Sequence, residues 1–136
     1  MKGYLLQEQT YTAGEETFIE SLADENEFGV IFTDNMETGY FYAIERNIQT
    51  GEQRILDALH IYEVAEIAEA DKQSALKIIW STDWWRCALI INNHCQAVFD
   101  FQQQGGYNKN EFPPPNAFWT KGERLLTDEM VRSFFK

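Results

Sequence analysis

Four polar residues, Asp57, His60, Asp83 and Asp100, carry most of the chemistry open to this chain of 136 residues. An enzymatic or small-ligand module would have to gather them in one cleft. Asp57 and His60 stand three apart and would share a helix face as metal ligands, but no HExxH, CxxC or other complete ligand set accompanies them. His94 next to Cys95 offers a base beside a thiol nucleophile. Neighbours on a strand point to opposite faces, so the two would not meet. Gly105-Gly106 lacks the following Lys-Ser/Thr and the helix start of a phosphate loop. The reading is therefore of a chain with no catalytic residue, no metal and no cofactor.

The residue types support a binding surface better. Asp34, Glu37 and Glu45 surround Tyr40 and Tyr42, with Asp24, Glu25 and Glu27 just upstream. Trp84, in Asp83-Trp84-Trp85-Arg86, adds a further aromatic anchor. Acids beside tyrosines steer in a Lys/Arg-rich protein and then hold it. Charge points the same way: residues 1–73 hold 16 acids and 4 bases, a net of −12, while residues 74–136 hold 6 acids and 7 bases, a net of +1. Such a field repels phosphate backbones and anionic lipid, which disfavours a nucleic-acid or membrane role. It favours a basic protein partner, although solubility alone would produce the same excess.

The elements that must position these residues are mostly strands. From Ser74 to Phe101, three runs rich in β-branched and aromatic residues (Leu76–Trp80, Cys87–Ile91 and Ala97–Phe101) alternate with polar turns and form the core of an antiparallel sheet. Phe28–Phe32 and Tyr40–Ile44 flank the Asp34–Gly39 turn, a hairpin over residues 28–45. Shorter strands are expected around Tyr4–Leu6 and Phe18–Leu22, with a turn at Gly14, and Asn47–Gly51 forms another turn. Arg54 to Val64 fits neither the strand nor the helix period, and Glu63 to Gln73 reads as a helical turn or loop. Gly105-Gly106 and Pro113–Pro115 bound an irregular segment whose Tyr107, Phe112, Phe118 and Trp119 should pack on the sheet. Thr127 as N-cap, Asp128 and Glu129 in the first turn, and Leu126 stapled to Val131 predict a short C-terminal helix. The expected class is α+β, one domain over residues 1–136, mainly antiparallel sheet with few other helices. Met1–Leu6 runs straight into Gln7-Glu8-Gln9 without an apolar leader, which predicts a cytosolic location. Cys87 and Cys95 are then read as reduced structural thiols.

Two segments resemble a family of small uncharacterised bacterial proteins. They are Asp34-Asn35-Met36-Glu37-Thr38-Gly39-Tyr40-Phe41-Tyr42-Ala43 and Ile55-Leu56-Asp57-Ala58-Leu59-His60-Ile61-Tyr62. Ala97–Phe101, Gly106-Tyr107 and Phe112-Pro113-Pro114 fit the same pattern, so the resemblance runs from Phe28 to Trp119. Met36 departs from the small or glycine residue of that turn. Such proteins look like the immunity partners encoded beside contact-dependent or polymorphic toxins. The resemblance implies an immunity protein; together with the charge and the missing catalytic set, the reading is a non-enzymatic protein that occludes a basic, nuclease-like toxin domain, with Asp34, Glu37, Tyr40, Tyr42, Glu45 and Trp84 as contact residues. A self-associating subunit, a homodimer paired through an exposed sheet edge, is the remaining alternative.

Overall fold

The computed structural model describes residues 1–68, 71–115, 119 and 123–136. Among them are strands β1 (Tyr4–Thr12), β2 (Thr17–Leu22), β3 (Phe28–Asp34), β4 (Thr38–Arg46), β5 (Gln53–Glu63), β6 (Gln73–Trp80), β7 (Arg86–Ile91), β8 (His94–Asp100) and β9 (Gly105–Asn108). A 3-10 turn follows β5 at Val64–Glu66, and one α-helix, α1, spans Asp128–Phe134. The α+β expectation is thereby corrected. The chain is nearly all antiparallel β, and its strands form two sheets. Sheet one has the order β1-β6-β7-β8-β9 and sheet two the order β2-β3-β4-β5. Consecutive strands pair everywhere except β1 to β2 and β5 to β6, where the chain changes sheet.

Alternation along each strand builds a single core between the sheets. Val30, Phe32, Phe41, Ala43 and Leu59 of sheet two face Leu76, Ile78, Trp80, Leu89 and Phe99 of sheet one, all at 0% exposure. Rings lock the layers together: Phe41 stacks on Phe99 at 5.1 Å and Phe28 on Phe101 at 4.9 Å. The buried indole N–H of Trp80 donates to Ser21 Oγ at 3.0 Å, so its one polar atom is satisfied. Trp119 packs edge-on against Phe99 and Phe101. Phe118 lies outside the described residues. On the outer face of sheet one, Ala88 and Val98 are covered by Val131, Phe134 and Phe135 of the C-terminal segment. Thr127 Oγ1 caps α1 by accepting from Met130 N at 3.2 Å, as its sequence predicts. Cys87 lies in the inner core and Cys95 under α1, on opposite faces of sheet one, and both are free thiols. Burial pushes the Cys95 thiol up to about 11 and raises the Cys87 thiol well above its ordinary value, so neither is a ready nucleophile.

The seam between β5 and β9 is closed by a buried ion pair. Arg124, 1% exposed, donates through Nη2 to both oxygens of Asp57, at 3.0 and 2.8 Å, and through Nη1 to the Ala58 carbonyl at 3.0 Å. The backbone around Arg124 runs parallel to β9, with Asn108 N donating to Arg124 O and Leu126 N to Asn108 O. Removing Arg124 would take from Asp57 the guanidinium that binds both its oxygens in the core. Arg124→Met should therefore lower unfolding stability by about 3–5 kcal/mol, and Asp57→Leu combined with Arg124→Met should recover much of that loss. Denaturant titration of both variants checks it; a double variant no better than the single one would refute it.

Candidate functional site

Outward-facing residues of sheet two form a partly exposed face on the side away from the core. Because Phe41 and Ala43 point into the core, Tyr40 and Tyr42 point out. Strand register then sets two rows across the face: Phe18–Thr33–Tyr40–His60 and Glu20–Ile31–Tyr42–Ala58. Phe18 is 67% exposed. The rings of Tyr40 and Tyr42 stack at 5.8 Å, Tyr40 meets His60 edge-on at 5.4 Å, and His60 meets Phe112 at 5.9 Å. Burial, then the neighbouring Tyr42 and Glu63, hold the Tyr40 phenol above its ordinary value, so it stays a neutral hydroxyl.

Acids rim this aromatic strip. Glu37 is exposed in the β3–β4 turn, and Glu63 reaches His60 Nε2 at 2.9 Å. Glu20 accepts from Gln53 Nε2 at 2.9 Å, which ties the two edge strands of sheet two together. Glu45 is not part of that rim: it lies opposite Phe28 on the inner side of the sheet and pairs with Arg54 at 2.6 Å. A cleft of about 530 Å3 opens at the β4–β5 end, lined in part by Glu27, Glu45, Glu52, Arg46 and Arg54. Its mixture of signs selects no single class of ion.

The structure brings Glu37, Tyr40 and Tyr42 to this outer face, turns Asp34 and Glu45 to the inner side of the same sheet, and places Trp84 in a turn of the other sheet. Asp34 is 1% exposed and points inward. Its carboxylate accepts from Gly14 N and Met36 N, each at 2.8 Å, and from Tyr62 Oη at 2.6 Å. Burial, then this bond to Asp34, raises the Tyr62 phenol far above its ordinary value and keeps it a donor. Gly39 makes room for that ring, since a Cβ there would lie 2.7 Å from it. Met36 sits at φ 80°, the left-handed conformation that a glycine would take without strain. Trp84, in the β6–β7 turn, stacks on Tyr4 at 4.8 Å and tilts against the buried Trp80. It packs on the core and is not part of the Tyr40–Tyr42 strip.

The alternative catalytic set is dispersed. Asp57 is in the inner core with Arg124, while His60 lies on the outer face of the same strand. Asp83 accepts from Ser81 Oγ at 2.6 Å and from Trp85 N at 3.0 Å, organising its own turn. Asp100 takes Arg86 Nε at 3.2 Å and caps the turn after β8 through Gln102 N and Gln103 N. No group of three or more His, Cys, Asp and Glu suited to a metal occurs among the described residues. None of their helices is long and apolar enough to cross a membrane. Sequence reading missed Arg124 and the Asn108–Asn110 pair, whose partners lie on β5 some 50 residues away or more. The exposed β1 edge, with Tyr4, Leu5 and Leu6 at 46, 47 and 42% exposure, is a second apolar surface.

Fold and surface together define a small two-sheet antiparallel β protein with one sheet face left open. The chain belongs to the DUF2251 family, described as an uncharacterized protein conserved in bacteria, whose profile matches residues 11–135. A Haemophilus influenzae (strain Rd) protein described as uncharacterized is 39% identical over 98 residues, a stretch that covers 71% of this chain and 60% of that relative. The match thus spans less than two thirds of the relative's length. No solved structure matches. The resemblance to a bacterial family stands at that level, and these relatives carry no link to toxin systems.

Asp34 and Glu37 are neighbours in sequence with opposite roles, and substitution separates them. Asp34→Ala removes three hydrogen bonds and should cost about 2–3 kcal/mol of stability in a denaturant titration. Glu37→Ala should leave stability within about 0.5 kcal/mol. Equal effects would overturn this assignment.

Proposed function

We propose that this protein is a non-enzymatic binding protein that takes a basic protein domain onto the open face of sheet two. In the fuller form of this reading it is an immunity protein, cytoplasmic, that occludes the nucleic-acid surface of a nuclease-like toxin. The observation that carries the proposal is the anatomy of that face: an apolar aromatic centre of Phe18, Tyr40 and Tyr42 flanked by Glu20, Glu37 and Glu63. Buried aromatic anchors inside a charged rim are what a protein interface needs. The sign of the rim selects a basic partner, because residues 1–73 carry a net of −12. Long-range attraction then speeds encounter, and the tyrosines hold the complex. Such a partner's own basic surface evolved to bind phosphates, so covering it inhibits without any chemistry. The link to toxins is supported by the sequence resemblance alone.

Self-association is a second reading, favoured by the apolar β1 edge, and sedimentation at micromolar concentration should give the mass of one chain if that edge does not pair.

The test is to express the tagged chain with catalytically inactivated basic proteins encoded by neighbouring genes and to measure association rates. Glu37→Lys with Glu63→Lys should slow association roughly tenfold at low salt, with the difference shrinking as salt rises. Tyr40→Ala with Tyr42→Ala should mainly speed dissociation. Rates indifferent to both pairs of substitutions would remove this face from the proposal.

A further inference from the structure

His60 stands at one end of the aromatic strip, and each of its ring nitrogens has a partner whose own role is fixed. The segment after β9 lies against β5 here: His60 N donates to Phe112 O at 2.9 Å, and Asn108 Nδ2 donates to His60 O and Phe112 O, each at 2.9 Å. Asn110 Oδ1, 3.0 Å from Asn108 Nδ2, shares that group's two N–H with the carbonyls and accepts from Phe112 N at 3.0 Å. A backbone N–H only donates, so the oxygen of Asn110 must face it. The Asn110 amide nitrogen is therefore the atom 2.7 Å from His60 Nδ1. An amide NH2 also only donates, so Nδ1 must be the acceptor. The ring proton then sits on Nε2, 2.9 Å from Glu63 Oε1. The neutral imidazole satisfies every contact in this network.

An imidazolium does not. A proton on Nδ1 would set two donors against each other at the Asn110 contact, and Asn110 cannot turn its oxygen round without facing Phe112 N–H and Asn108 Nδ2 with its own NH2. At the other nitrogen the outcome is the opposite, because Glu63 gains an ion pair. Glu63 thus holds the charged ring in place while Asn110 must leave. The remaining groups around the ring are the Tyr40 phenol from β4, with Tyr42 beside it, and Glu37 on the β3–β4 turn, whose carbonyl takes Val64 N. On the segment after β9, Lys109 and Glu111 flank Asn110 and are exposed.

We infer that His60 is a proton-operated latch at the edge of the open face. Neutral His60 ties the Asn110 side chain to β5; charged His60 releases it, which frees the Phe112 N–H from Asn110 Oδ1 and removes one unit of negative charge from the rim. This deepens the reading of sheet two as the surface for a basic partner: binding is strongest while His60 is neutral and weakens as it charges.

The free protein tests the latch without any partner. Hydrogen exchange by NMR between pH 8 and pH 5 should show the protection of the Phe112 amide, relative to its intrinsic rate at each pH, falling about fivefold, the value of one hydrogen bond. His60→Gln should abolish that change. Asn110→Asp should invert it, because a carboxylate accepts from Nδ1–H as well as from Phe112 N–H. Flat protection in the wild-type chain, or the same fall in His60→Gln, would overturn the latch. With an inactivated basic partner in hand, affinity should fall with acidification in the wild-type chain and stay level in His60→Gln. An intact exchange response with no basic protein bound at any pH would instead overturn the partner reading and leave the latch standing.

Discussion

The pairing of Asp57 with Arg124 is the constraint on which the closed shape of the two sheets depends. Each sheet has a natural exit for its last strand, and β5 and β9 face one another across a gap that no ladder of backbone bonds fills. Arg124 spans it from a stretch laid along β9, reaching both oxygens of Asp57 and the carbonyl of Ala58. Three sequence features converge to make this possible. A register shift near Ala43/Ile44 sets Asp57 opposite Ala43, pointing inward. Gly106 leaves room for the carboxylate, since a Cβ there would lie 2.6 Å from Asp57 Oδ2 and 2.7 Å from the Phe99 ring. The helix α1 then anchors the far end of the stretch on the back of sheet one. Buried ion pairs gain little net stability over apolar packing, but their geometry admits one arrangement, which suits a seam that must close in one register.

The division of charge follows the division of sheets. The boundary near Gln73 that separates the acidic part of the sequence from the neutral part is also the start of β6. Among the described residues, the strands N-terminal to it are β1 and those of sheet two, and the strands C-terminal to it complete sheet one. The outer face of sheet one carries apolar residues that α1 buries, and the outer face of sheet two carries half-buried tyrosines with glutamates beside them. An acidic rim around an open apolar centre keeps like copies apart while leaving the centre available to a surface of opposite sign.

How much of this the sequence discloses depends on how local each cause is. The β3–β4 hairpin, β7, β8 and the capped C-terminal helix are legible because alternation, turn residues and an N-cap act within a few positions. Strand β5 hides because two bulges, which place Leu56 and Ile61 as extra residues, break its alternation. Strand β9 hides because its glycines, there to admit Asp57 and Phe99, read as loop. The two-sheet class hides because the steps from β1 to β2 and from β5 to β6 look like ordinary turns, and only long-range pairing shows that they change layer. Tyr40 and Tyr42 were legible as a shared face. Asp34 misleads for the same reason that Arg124 escapes notice: one is claimed by Gly14 and Tyr62, the other by Asp57, and all three lie far away in sequence.

The open face gains its importance from what happens to polar groups elsewhere. Asp34, Asp57, Asp83 and Asp100 each have the residue type of a catalytic acid, yet each spends its oxygens on fixed donors: backbone amides, a tyrosine, a serine or an arginine. A carboxylate held in this way is a fastener for turns and seams. His60 and its neighbours are arranged otherwise. Its ring lies against Tyr40, its hydrogen bonds depend on which nitrogen carries the proton, and its contacts link the strip to the segment after β9. Polar chemistry that can still change state is therefore found at the edge of the outer face of sheet two, while the buried carboxylates hold the turns and the seam that shape it.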